Sequence, residues 1–129
     1  MNIPLRVRNL IKKYDTTDPY RIAKELKIEV RFCNTPGGIN GMWRRILRRK
    51  YIVINEDLND WQRKAVLGHE IAHFLCHRGY VSYCMAGRTF FSSTRKENEA
   101  NEYSIELLSY SCNVDQKYIL SFLEEGWKK

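Results

Sequence analysis

Apolar residues recur at helical spacing in the opening segment, where Ile3, Val7, Leu10 and Ile11 are separated by Arg and Lys, so an amphipathic helix is predicted over 3–14. After a polar break, Asp18 and Pro19 supply an N-cap and first-turn pair for a short second helix through Ile22, Ala23 and Leu26. The period then changes. Residues 28–33 alternate apolar and polar side chains like a half-buried strand, and 35–41 carry turn chemistry in the run TPGGING. Two β-prone runs follow, 42–47 and 51–54, and with Arg48, Arg49 and Lys50 between them they predict a hairpin with a basic tip. From a cap at Asn59 or Asp60, the proline-free run 61–77 reads as a long helix. Its apolar residues occupy nearly every side between Ala65 and Cys76, which places it at the centre of the fold. An irregular connection over 78–93 leads to two more helices, from Thr94 to about Ser109 and from Val114 to Glu125. The expectation is an α+β chain in which a small sheet or hairpin precedes and packs on a central helix, with no internal repeat or linker dividing residues 1–129.

Composition narrows the class. A chain of 129 residues with 43% hydrophobic and 29% charged residues suits one folded domain rather than a disordered or low-complexity chain. No apolar run approaches the roughly eighteen residues needed to cross a bilayer, and the first residues lack a signal peptide's apolar stretch, so no membrane partner and a cytoplasmic location are expected. The net charge of +7 is unevenly placed, with five cations at Arg44, Arg45, Arg48, Arg49 and Lys50. Flanked by Trp43 and Tyr51, these could bind nucleic acid. The preferred reading is a solvated hairpin tip that blunts a sheet edge, and a third is an edge that receives an extended or acidic substrate segment by strand addition. The four cysteines, Cys33, Cys76, Cys84 and Cys112, form no C-x-x-C pair, which argues against a zinc ribbon or a redox pair and for reduced thiols; Cys76 and Cys84 could still be neighbours in space.

Chemistry concentrates on the central helix, at His69-Glu70-Ile71-Ala72-His73. Histidines four apart share a helix face and can reach one zinc ion, and a glutamate directly after the first stands beside the metal's water. Zinc would make that water acidic near neutrality, with Glu70 taking its proton and passing it to a leaving amine, which is peptide hydrolysis. The pattern is expected by chance only about 0.005 times at this chain's His and Glu frequencies. The alternative is a satisfied pair of core histidines. His77 lies about 12 Å along the axis from His69, too far to share its metal, and is expected at the surface. The third ligand must come from elsewhere, because Cys76 and Gly79 stand where the longer H-E-x-x-H-x-x-G-x-x-H pattern has its glycine and third histidine. On the next helix, about 100° per residue puts Glu97 on the face of Ala100, Ser104, Ile105, Leu107 and Leu108, with Glu99, Glu102 and Glu106 opposite. Glu97 is therefore the candidate ligand and Glu99 the reserve, while Asn101, one turn on, could hydrogen-bond a histidine's second nitrogen. Thr94 and Glu97 also fit a capping box. Tyr80, Tyr83 and Tyr110 are candidates for stabilising an oxyanion, or simply packed aromatics.

These motifs together resemble the ImmA/IrrE family of zinc metallopeptidases over most of the chain. The D-P-x-x-I-A-x-x-L start is found at 18–26, an I-V-I-N strand at 52–55, Q-R-x-x-x-x-H-E-x-x-H at 62–73, and a version of E-x-E-A-N-x-F-A-x-x-L-L at 97–108. Tyr103 and Ser104 replace the family's F-A, and Ser109 and Tyr110 replace the M-P that commonly follows. The resemblance implies a compact zincin-like domain over 1–129 with one zinc held by His69, His73 and Glu97, and Glu70 as catalytic residue. It further implies a regulatory protease of a mobile element or stress response whose protein substrate is a helix-turn-helix repressor. The rival functions are a basic nucleic-acid-binding protein and a metal-sensing regulator without proteolysis.

Overall fold

The structure is a computed structural model that describes residues 1–35, 38–79, 83–85 and 94–128. Helix α1 (Ile3–Tyr14) starts where the Asn2 side chain accepts the Leu5 amide and ends at Asp15 in the left-handed region, φ 55°. Helix α2 (Pro19–Glu25) is capped by Asp18, whose side chain accepts the Tyr20 amide. Strands β1 (Ile28–Cys33), β2 (Ile39–Ile46) and β3 (Arg49–Asn55) follow, then α3 (Asp60–Cys76), β4 (Tyr83–Met85), α4 (Thr94–Leu108) and α5 (Gln116–Lys128). The α+β class expected from the sequence is what the chain adopts, and the layout is consistent with a zincin-like fold.

The sheet is mixed, in the order β1-β3-β2-β4, with β1 parallel to β3 and both other pairs antiparallel. Two boundaries differ from the sequence reading. Strand β2 begins at Ile39, inside the stretch read as a turn, because Ile39 and Gly41 pair with β4 across an irregular register. At its other end the ladder runs on to Ile46 opposite Arg49, so the turn is only Leu47 and Arg48, with Leu47 at φ 58° and 92% exposed. Arg49 and Lys50 therefore belong to β3 rather than to a basic tip. Arg49 reaches Glu29 at 3.5 Å, and Lys50 Nζ donates to the Leu26 carbonyl at 3.1 Å and lies 4.8 Å from the Phe74 ring centre. The central β3 is paired on both sides and the start of β2 is paired with β4, so among the described residues an added strand at this hairpin would have only the stretch of β2 after Met42 to use. Strand β4, which follows α3, is a further departure from a sheet expected to be complete before the helices.

Helix α3 holds the centre. Asn59 and Gln62 close a capping box at its start, and every residue from Ala65 to His73 is buried. On one side Phe74 meets Trp43 of β2 edge to face, ring centres 5.4 Å apart. On the other, α4 lies against α3, and the Ser104 hydroxyl donates to the Ala65 carbonyl at 2.6 Å. Gly68 permits this approach, since a Cβ there would stand 2.9 Å from Ser104 Oγ and 3.3 Å from Ser104 Cα. Helix α1 packs on α4, and Ile3, Val7 and Leu10 join the same core as Ile52, Ile54, Leu67, Ile71 and Leu107. Gly68→Ala is expected to wedge the two helices apart and cost about 1–3 kcal/mol, measured as a lower urea midpoint at unchanged slope. Cys33, Cys76 and Cys112 are free thiols. Among the described residues no helix is long and apolar enough to cross a membrane.

Candidate metal centre

Three side chains from two helices converge inside the core. His69 and His73, one turn apart on α3, are 1% and 0% exposed, and Glu97 in the first turn of α4 is 1% exposed. The two histidine rings lie almost perpendicular, and their Nε2 atoms are 3.1 Å apart. Glu97 spans them, with Oε1 3.2 Å from His69 Nε2 and Oε2 3.0 Å from His73 Nε2. Among the described residues these three are the group whose ligand atoms come close enough to hold a metal ion.

The outer nitrogens decide what the inner ones are. His69 Nδ1 lies 2.8 Å from the Asn101 amide oxygen, which only accepts, so this nitrogen carries a hydrogen and the neutral ring has its lone pair at Nε2. His73 Nδ1 lies 2.9 Å from His77 Nδ1. With the hydrogen on the His73 side of that contact, two imidazole lone pairs and a carboxylate face one point with no hydrogen among them. Acceptors so arranged repel unless a cation sits between them. The spacing suits one: ligand atoms about 2.0–2.1 Å from a tetrahedral zinc are about 3.3 Å from each other, close to the 3.0–3.2 Å found here.

The electrostatics of the two rings differs. Burial pulls His73 down to about 4, against the opposing pull of the Glu97 carboxylate, so this ring is neutral at neutral pH, as a metal ligand must be. Burial pulls His69 down too, but the contact with the Glu97 carboxylate, with Glu70, the Glu97 charge and Asn101, outweighs it and leaves the group raised, so a metal ion at Nε2 would take the place of a proton. Burial would raise Glu97, but the close contacts of its carboxylate with the His69 and His73 rings outweigh this and hold it well below the usual carboxylate range. Glu70 is the outlier. It is fully buried, both its oxygens lack a hydrogen-bond partner among the described residues, and burial lifts it to about 8, with His69 opposing and Glu97 adding to the rise. A cation held by its neighbours would compensate this carboxylate and return it to the ionised form.

Of the candidates named from the sequence, His69, Glu70, His73 and Glu97 come together, and Asn101 orients His69. Glu97 turns its carboxylate oxygens to the two histidines, as a ligand would. Glu99 does not reach them; it sits at the rim, its side chain 20% exposed, against His77. Glu102 is exposed and Glu106 partly so. His77 contradicts its expected place at the surface: it is 6% exposed and fills the space between His73 and Glu99. Ending α3 on His77 turns its ring back beneath His73, one turn away, instead of out to solvent. Tyr110 follows α4 and is 47% exposed. Tyr80 and the Tyr83 side chain lie outside the described residues.

Comparison with known proteins agrees in its scope. The family described as the IrrE N-terminal-like domain, a peptidase family, matches residues 23–128. An "Uncharacterized immunity region protein 2" of Bacillus phage phi105 is 41% identical over 106 residues, which is 82% of this chain and 67% of that protein. No solved structure matches significantly.

Proposed function

The chain belongs to the IrrE N-terminal-like family of metallopeptidases, and from that premise we propose that it is a zinc-dependent endopeptidase of the cytoplasm, one domain over 1–129, that cleaves a helix-turn-helix repressor. The observation that carries the enzymatic part is the buried, uncompensated Glu70 beside three converging acceptors, His69, His73 and Glu97. Two imidazoles and a carboxylate form a donor set suited to zinc with a position left open. A closed structural site has no use for a carboxylate beside it that is not itself a ligand. The regulatory part is supported by the phage relative, whose name places it in an immunity region.

In this reading His69 and His73 hold the ion through Nε2, and Glu97 completes the set and neutralises one of its charges. Zinc, when bound, supplies Lewis acidity that polarises the scissile carbonyl and lowers the pKa of water toward neutrality. Glu70 does the proton work. One of its carboxylate oxygens takes the proton of the attacking water and later delivers it to the leaving amide nitrogen, so no proton is lost between the two steps.

The test is incubation of the purified chain with helix-turn-helix repressors encoded beside it, followed by mass spectrometry of the fragments. One cut at a defined bond, stopped by a chelator and restored by stoichiometric zinc, is the expected result. Intact repressors in the presence of the fully zinc-loaded chain would contradict the proposal.

A further inference from the structure

The contacts that shape the centre continue past His73. Its Nδ1 meets His77 Nδ1 at 2.9 Å, His77 Nε2 meets Glu99 Oε1 at 2.9 Å, and Arg95 Nη1 stands 3.9 Å from the other Glu99 oxygen. His77 is buried, whereas Glu99 closes the row at the protein's rim. Read inward from that rim, one arrangement of the hydrogens leaves His73 ready to bind a metal. A carboxylate only accepts, so His77 carries its hydrogen on Nε2. In that arrangement His77 offers a lone pair at Nδ1, and the hydrogen in the contact with His73 sits on His73 Nδ1. That leaves His73 Nε2 as the bare lone pair that faces Glu97.

We propose that His77 and Glu99 are positioning residues for the metal centre, a carboxylate–imidazole pair that fixes the tautomer and ring plane of His73 and raises the basicity of its Nε2. This rests on the zinc reading given above. The two ligand histidines are thereby held differently. His69 is oriented by a neutral amide, Asn101 of α4, and His73 by an imidazole backed by a charged group. Groups that orient a metal-bound histidine in this way commonly change metal affinity by about 10–100-fold when removed. Fold and site are also joined here, since His69, His73 and His77 all lie at one end of α3 while Glu97, Glu99 and Asn101 all come from α4. The same two helices are pinned once through the metal position and once through His77–Glu99.

The experiment measures zinc affinity by competition with a chromophoric chelator, and the absorption spectrum of the cobalt-substituted chain, for wild type, His77→Phe, His77→Asn and Glu99→Ala. Phe fills the ring's volume but offers no lone pair, whereas Asn places a carbonyl oxygen near where Nδ1 stood. His77→Phe is expected to weaken zinc binding about 100-fold and to shift the cobalt band, with His77→Asn, which keeps an acceptor for His73 but loses Glu99, weakened only about tenfold. Glu99→Ala removes a group at the rim without opening the core, and is expected to weaken binding about tenfold, so the inference is tested even if His77→Phe does not fold. Wild-type affinity in both His77→Phe and Glu99→Ala, or equal weakness in His77→Asn and His77→Phe, would overturn it. A wild-type chain that binds no zinc would instead overturn the metal reading, and this inference with it.

Discussion

Glu70→Gln is expected to lower the rate of repressor cleavage by about 10²–10⁴-fold while leaving one zinc per chain. Glutamine has the shape of the glutamate it replaces but cannot take a proton, so it separates the base from the scaffold around it. Glu70 is not placed as a ligand; the three ligand atoms belong to His69, His73 and Glu97. Burial already holds the metal-free carboxylate largely protonated at neutral pH, since it is lifted to about 8. The neutral amide therefore adds no charge cost to the metal-free fold. Cleavage assayed by mass spectrometry, with elemental analysis on the same sample, checks both halves. Full cleavage by Glu70→Gln would remove the base from the account and favour a metal-sensing regulator. Loss of zinc from that variant would make Glu70 a ligand.

The second large effect is on stability. Free zinc at about a thousand times its dissociation constant would stabilise the native chain by about 4 kcal/mol, which for a domain of this size is about 12–16 °C in thermal midpoint. In the variants His73→Ala and Glu97→Ala the midpoint is expected to stop responding to zinc. The reason is geometric: each removes one corner of a triangle whose sides are 3.0–3.2 Å, and no other described carboxylate or imidazole stands within reach to replace it. Calorimetric scans with and without zinc measure it. A midpoint that rises with zinc equally in wild type and His73→Ala would place the stabilising ion elsewhere.

Most of the centre could be read from the chain because helices encode geometry locally. The spacing of His69 and His73 is one turn, and the phase of Glu97 relative to Ala100, Ser104 and Leu107 put its carboxylate on the face that packs against α3. His77 departs from its expected surface position for a local reason. Its distance from His69 rules out a shared metal, but its distance from His73 is the same single turn that joins His69 to His73, and this signal was available. What the sequence could not show is that Glu99 would come from α4 to meet it. Non-local pairing accounts for the other differences. Strand β4 is three residues long and exists by pairing with β2, so no periodicity announces it. Ile39 and Gly41 read as a turn by residue type but pair as a strand once β3 and β4 lie on either side. Helix α5 begins at Gln116 rather than Val114 because the Asp115 side chain accepts the Lys117 amide at 2.8 Å, a cap that the apolar pattern alone passes over.

Zinc stoichiometry by elemental analysis, on the wild-type chain and on His69→Ala, His73→Ala, Glu97→Ala and the rim control Glu102→Ala, tests the metal centre most directly. The account predicts one zinc per chain in the wild type and in Glu102→Ala, and none retained through gel filtration in the other three. A wild-type chain without zinc after metal-replete purification, or zinc kept in full by Glu97→Ala, would contradict it.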